Sequence, residues 1–330
     1  MTKLLEVNDV HVQFSIPKPG LTLEKNIIKA VRGISFDLES SQIIGIVGES
    51  GCGKSTLLKA VLGLEELHKG SVKWFGKDIT EMSKKELSDM RRNIQVIFQD
   101  PLACLNPRMK IFNIIAEPLK VYEPNLSKEE VYKKVLEVVE KVGLTPSVLS
   151  RYPHEFSGGQ CQRINIARAI IVKPKILVCD EAVSALDVSI KSQIINLLCK
   201  LSEEMDVSLL FISHDLAIVR YISHKIIVMY LGIMVEFANA DMIYEDPYHP
   251  YTHALINSAP LTDPEKESVR SHKMLQGEIP SPFNIPSGCV FHTRCIHATD
   301  ECRANIPKLE TPTGTQNKVA CFHYKNINHS

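Results

Sequence analysis

Apolar residues along the chain follow two rhythms. Short, nearly unbroken apolar runs recur at 42–48 (QIIGIVG), 71–76 (SVKWFG), 93–99 (NIQVIFQ), 175–181 (KILVCDE), 208–214 (SLLFISH) and 225–232 (KIIVMYLG). Several are continuously apolar, which predicts strands covered on both faces of an α/β sheet. Between Gln99 and Lys173 the rhythm turns helical. The segment 127–143 opens with a capping box, Ser127 with Glu130, sets Val131, Val135, Val138, Val139 and Val142 on one face, and stops at Gly143. A second helix is predicted over 187–205, with Ile190, Ile194, Leu197, Leu198 and Leu201 along one side. Both stripes suit packing against a core. After about Asp246 prolines multiply and the periodicity fades, so the C-terminal stretch reads as an appendage with too little apolar residue for a core of its own. There is no repeat at solenoid period and no low-complexity tract.

A chain of 330 residues holds one large domain with an appendage, or two modest domains. Basic and acidic residues balance at 38 each, so no global charge draws the protein to nucleic acid or anionic lipid. The N-terminus lacks the basic-then-apolar pattern of a signal peptide. The longest apolar run, IIVMYLGIMV, falls short of the about 20 residues that span a bilayer. A soluble, intracellular protein is expected, whose nine cysteines are thiols or metal ligands rather than disulfides. Cys52, Cys104, Cys161, Cys179 and Cys199 are scattered singly and read as small buried hydrophobes.

Directly after IIGIV comes GESGCGKST, residues 48–56, and then the helical LLKAVLG. Strand, glycine-rich loop and helix are the context of a phosphate-binding loop. Gly48, Gly51 and Gly53 let backbone N–H groups, including those of Ser50 and Cys52, curl around phosphate oxygens. The helix entered at Thr56 adds its positive end. Lys54 would reach the β- and γ-phosphates of a nucleotide, and Ser55 would coordinate Mg²⁺. A nucleoside triphosphatase also needs an acid for the metal and a group to orient water. The strand 175–181 ends in Asp180 and Glu181, whose side chains point to different sides. Asp180 would serve the Mg²⁺ shell and Glu181 would polarise the attacking water.

The stretch FSGGQCQRINIARAI places Ser157, Gly158, Gly159 and Gln160 at the start of a further helix, a second N-terminus able to receive an anion. It resembles the signature motif of ABC-type ATPases, with Phe156 where leucine is commoner. The other family motifs follow in order. Gln99 in IFQDP resembles the Q-loop glutamine, which also approaches the Mg²⁺. SALD (184–187) resembles the D-loop ending in Asp187, and His214 in FISHD the switch histidine. Phe14 is the candidate for stacking on adenine. The resemblance implies an α/β ABC-type P-loop ATPase with a RecA-like core and an antiparallel β subdomain (1–100 and 171–245), a helical signature subdomain (101–170), and a small Pro/Cys-rich C-terminal appendage (246–330).

The same resemblance implies that two such subunits pack head to tail around MgATP, the phosphate loop of one facing the SGGQ helix of the other. The partner ATPase is a paralogue or a second copy. Finer features, FQDPLACLNPRM, DEAVSALDVSI, YHPYTHAL and GCVFHTRC, resemble the ATP-binding subunits of oligopeptide/dipeptide (peptide/nickel) permeases, most closely the F-type subunit. That implies an ATP-hydrolysing subunit powering import of peptides, or of a related solute such as a nickel chelate. Two membrane permease subunits and, indirectly, an extracytoplasmic solute-binding protein would be its partners. It would lie peripherally on the cytoplasmic face of the cell membrane, with no nucleic acid bound. A nucleic-acid-associated ABC ATPase is the alternative, since repair proteins share SGGQ-type motifs and cysteine metal sites. A catalytically silent subunit would have lost Glu181 or His214, and both are present.

Cys289, Cys295, Cys302 and Cys321 cluster near the C-terminus, separated by five, six and eighteen residues. These gaps match neither zinc knuckles nor the common ferredoxin runs. By resemblance to certain members of the permease branch they are expected to hold a [4Fe–4S] cluster, with zinc, or free thiols or disulfides, as the alternatives. Such a site would staple the tail.

Overall fold

A computed structural model of the protein describes residues 2–17, 25–258 and 277–325. Parts of the expected appendage, 259–276 and 326–330, lie outside the described residues, as does 18–24. The strands are β1 (Lys3–Pro17), β2 (Lys25–Glu39), β3 (Ile43–Val47), β4 (Lys69–Trp74), β5 (Lys77–Asp78), β6 (Ile94–Ile97), β7 (Ile176–Asp180), β8 (Ser208–Ile212), β9 (Lys225–Tyr230), β10 (Ile233–Asn239) and β11 (Lys318–Val319). The helices are α1 (Lys54–Val61), α2 (Lys84–Arg91), α3 (Ile111–Tyr122), α4 (Lys128–Lys141), α5 (Gly158–Ile170), α6 (Val188–Met205), α7 (Leu216–Ile222), α8 (Ala240–Glu245), α9 (Pro250–Ser258) and α10 (Asp300–Ala304). Two compact units divide the chain: Met1–Glu6, Asp37–Ile43 and Lys73–Ser213 form the first, and Val7–Phe36, Ile44–Val72 and His214–Ser330 the second.

In the first unit β6, β7 and β8 run parallel, with Ile97 opposite Cys179 and Asp180 opposite Ile212. Their C-terminal ends therefore share one edge, where loops carry chemistry in open α/β sheets. Helices α3, α4 and α5 pack on one another, and α6 packs on α5. The capping box of α4 forms as its sequence predicts: Ser127 N–H donates to Glu130 at 2.8 Å and Glu130 N–H to the Ser127 hydroxyl at 3.2 Å. Val135, Val138, Val139 and Val142 are buried, each contributing about 1.5–3 kcal/mol. Val131, at the solvent end of the stripe, is only half-buried.

In the second unit β3 pairs parallel with β9, β9 antiparallel with β10, and β10 antiparallel with β11. Every residue of β3 is buried, as the unbroken apolar run requires. Gly45 at its centre lets α7 lie directly on the strand, because a Cβ there would collide with Val219 and Ser223. The edge pairing of β11 with β10, Glu236 opposite Val319, draws the tail onto the unit.

Candidate functional site

Residues 48–56 leave the end of β3 and wrap into α1. Gly48, Gly51 and Gly53 all have positive φ, and a Cβ on Gly53 would run into the carbonyl of Ala30. Only glycine fits there without strain. The Lys54 ammonium is buried within the loop, donating to the carbonyls of Gly48 at 2.8 Å and Glu49 at 3.1 Å. Gly232 N–H closes the loop onto the Cys52 carbonyl at 2.9 Å. Helix α1 begins at Gly53 with no side-chain cap and no acid in its first turn. Its leading N–H groups and the cation of Lys54 thus form a cradle suited to a polyphosphate. Ser55 and Ser50 are exposed at its mouth. Burial raises the Cys52 thiol above its ordinary value despite the nearby Lys54.

Two side-chain contacts on this loop, and the ring cluster behind them, were not anticipated from sequence. Arg294 makes a bidentate pair with Glu49, at 2.7 and 3.0 Å, and also donates to the Tyr230 hydroxyl at 3.4 Å. Tyr251 accepts the backbone N–H of Glu49 at 2.9 Å. The rings of Tyr230, Tyr251 and Phe291 pack mutually, with centroids 4.7–5.4 Å apart. Phe14 sits half-buried on β1 of the same unit, and His214 is exposed where that unit resumes. Asp215 beside it caps α7, accepting from Ala217 and Ile218 N–H at 3.0 and 3.2 Å.

The remaining candidates belong to the first unit. Asp180 is the last residue of β7, and Glu181 follows in the left-handed region with φ +48. A non-glycine residue held there stores local strain, kept in place by hydrogen bonds from Glu181 N–H to Ile212 and from Ser184 N–H to Glu181. Gln99 lies two residues beyond β6 and is exposed. The parallel register brings Gln99, Asp180 and Glu181 to one edge of the sheet. The signature residues start α5: Ser157 and Gln160 form a capping box, and Gly159 is bare because Ile190 of α6 lies against it. Asp187 occupies the exposed N-cap position of α6. Beneath the motif, α5 carries Gln162, which donates to the Ala182 carbonyl at 2.6 Å, and Asn165 and Arg168, which donate to the carbonyls of Pro101 and Cys104 at 2.9 and 2.7 Å. Buried Gln and Asn on an otherwise apolar helix face were the available signal for these ties.

Residues 31–184 match the ABC transporter family model, and residues 235–302 match the C-terminal region of oligopeptide/dipeptide transporters. The oligopeptide transport ATP-binding protein OppF of Haemophilus influenzae is 51% identical over 321 residues, 97% of this chain and 96% of that protein. The chain belongs to the oligopeptide/dipeptide family of ABC transporter ATP-binding proteins. The di/tripeptide transport ATP-binding protein DppF of Pseudomonas aeruginosa is 44% identical over 325 residues, 98% of each chain. Among solved structures, the post-hydrolysis dimer of the ATP-binding cassette MJ0796 bound to ADP and Pi superposes with a TM-score of 0.63 at 28% identity. It covers 72% of this chain and 98% of that one. The ABC ATPase fold expected from the motifs is thus the fold of this chain, and among the described residues no helix is long and apolar enough to cross a membrane.

Family membership and structure together correct the reading of the C-terminal cysteines. Cys289, Cys295, Cys302 and Cys321 do converge, lining a small apolar pocket with His249 and Phe291. Yet among the described residues no group of three or more His, Cys, Asp or Glu is disposed to hold a metal ion. The relatives in this ABC family are named for transport and ATP binding. Burial raises the Cys295 thiol to about 11 and the Cys321 thiol to about 12. The [4Fe–4S] and zinc expectations, and the metal staple, are therefore not supported. What holds the tail instead is the β10–β11 pairing, Phe291 among the tyrosines, and Arg294 on Glu49.

Proposed function

We propose that this chain is the ATP-hydrolysing subunit that powers peptide import through a binding-protein-dependent ABC permease, peripheral on the cytoplasmic face of the membrane. The loop 48–56 cradles the phosphates of ATP, Lys54 neutralises them, and Phe14 stacks on the adenine. Ser55, Asp180 and Gln99 hold Mg²⁺, which neutralises charge developing on the transferred phosphoryl group. Glu181 orients and polarises the attacking water, and His214 senses the γ-phosphate. A second ATPase subunit supplies Ser157, Gly158, Gly159 and Gln160 across the nucleotide, with Asp187 at the junction. Residues 101–170 carry the signature subdomain, 1–100 and 171–245 the core, and 246–330 the C-terminal region.

The observation that carries this reading is the cradle at α1, with a buried lysine and an uncapped helix end, in a chain whose relatives are peptide-transport ATP-binding proteins. Those relatives leave the nucleic-acid reading without support. The test is the Glu181→Gln variant assembled with its partner ATPase and permease in membrane vesicles. It should bind MgATP as the parent does, while hydrolysis falls by about a hundredfold or more and peptide uptake stops. Undiminished hydrolysis would overturn the assignment.

A further inference from the structure

We infer that the C-terminal region is part of the nucleotide site: Arg294 and Tyr251 are positioning residues that hold the phosphate loop, through Glu49, in its binding conformation. The inference rests on the reading of that loop as the ATP site. Three contacts converge on Glu49, one through each of its chemical groups. Its carboxylate is held by both terminal nitrogens of Arg294, its N–H by the Tyr251 hydroxyl, and its carbonyl by the Lys54 ammonium. No other loop position is fixed in this way from the C-terminal region among the contacts described.

The chemistry gives the pair a purpose. Glu49 places a carboxylate in a loop that receives a polyanion, and an uncompensated negative charge there opposes binding. Arg294, its side chain only 5% exposed, neutralises it in a bidentate pair shielded from solvent screening. The guanidinium is itself seated on Tyr230, whose ring packs on Tyr251 and Phe291. Tyr251 lies in the first turn of α9, and that turn is fixed because Tyr248 and His249 N–H donate to the buried Glu236 of β10. Glu236, Tyr251 and Arg294 all fall within the 235–302 stretch matched to the family's C-terminal region. By reciprocity, whatever this region does to the loop's affinity for nucleotide, nucleotide does to the region's order.

The test uses the full chain. Tyr251→Phe retains the ring and removes only the acceptor, so it folds as the parent does. Arg294→Ala, Arg294→Lys and Glu49→Gln complete the set. MgATP titration and steady-state hydrolysis are measured with the partner subunits, and hydrogen exchange over 289–302 is followed with and without MgATP. We expect KM for ATP to rise roughly tenfold in Tyr251→Phe and Arg294→Ala with kcat within about twofold, and Arg294→Lys to recover part of the loss. MgATP should slow exchange over 289–302 in the parent and not in Arg294→Ala. Unchanged KM in both Tyr251→Phe and Arg294→Ala, or exchange indifferent to MgATP in a parent that binds it, would overturn the inference alone. A parent that binds no MgATP, with Lys54→Ala no different, would overturn the ATP-site reading and this inference with it.

Discussion

Glu236 offers a direct test of how burial sets charge in this protein. Its carboxylate lies wholly buried on β10 and accepts the N–H groups of Tyr248 and His249 at 2.7 and 3.0 Å. Burial outweighs these donors and pushes the carboxyl from 4.5 up to about 7. As pH rises past 4.5 the unfolded chain gives up this proton first, so between 4.5 and about 7 the folded state holds the extra proton and stability falls with rising pH. Above about 7 both states are ionised and the loss is complete, worth roughly 3 kcal/mol in all. Glu236→Gln removes the titration. It also turns one acceptor into an NH₂ facing a backbone N–H, at a cost of about 1–3 kcal/mol. Urea denaturation followed by far-ultraviolet circular dichroism at pH 5 and pH 8 reads both effects. At pH 5 the variant should be the weaker protein. At pH 8 the parent has lost most of its advantage, and the gap between the two should have moved by roughly 2–3 kcal/mol in the variant's favour. A gap equal at both pH values would refute the reasoning.

Other outcomes follow from the site's geometry. Gly53→Ala places a Cβ against the Ala30 carbonyl at φ +104, so MgATP affinity should drop at least about tenfold in a nucleotide titration; parental affinity would contradict the fit. Ser157→Ala removes the N-cap of α5 and should lower stability by about 1 kcal/mol in urea, whereas an unchanged midpoint would show the capping box idle. Cys52, buried and raised above its ordinary value, should react with iodoacetamide at pH 7.5 at least about tenfold more slowly than free cysteine, and more slowly still with MgATP; rapid labelling of folded protein would count against this placement.

Legibility in the sequence tracked how local each signal was. The predicted runs became β3, β4, β6, β7, β8 and β9 within about two residues, the usual error of boundaries, because an unbroken apolar run has few other uses. The flanking strands escaped notice. Asp9 sits at φ +45 inside β1 and breaks its alternation, and the buried Glu236 disguises β10 as polar. Helix α3 hides behind Pro118. The phosphate loop, strand-end acids and SGGQ motif are short contiguous patterns and were plain. The Arg294–Glu49 pair joins residues 245 apart in sequence, and nothing local in either marks the other. The cysteines erred the opposite way: their clustering in the sequence carries over to the fold, but the ligand reading rested on resemblance, and clustering does not distinguish a ligand set from thiols that line an apolar pocket.

The polar ties beneath the signature motif fix the phase of α5 as well as its position. Gln162, Asn165 and Arg168 reach carbonyls at 182, 101 and 104, all from one helix. Adding or deleting one residue ahead of them would turn all three by about 100° and strand their partners at once. A substitution within α5 leaves that phase unchanged, whereas a change of its length does not. SGGQ is thus keyed, like a gear tooth on a shaft, to the backbone after Gln99 and to the backbone after Glu181.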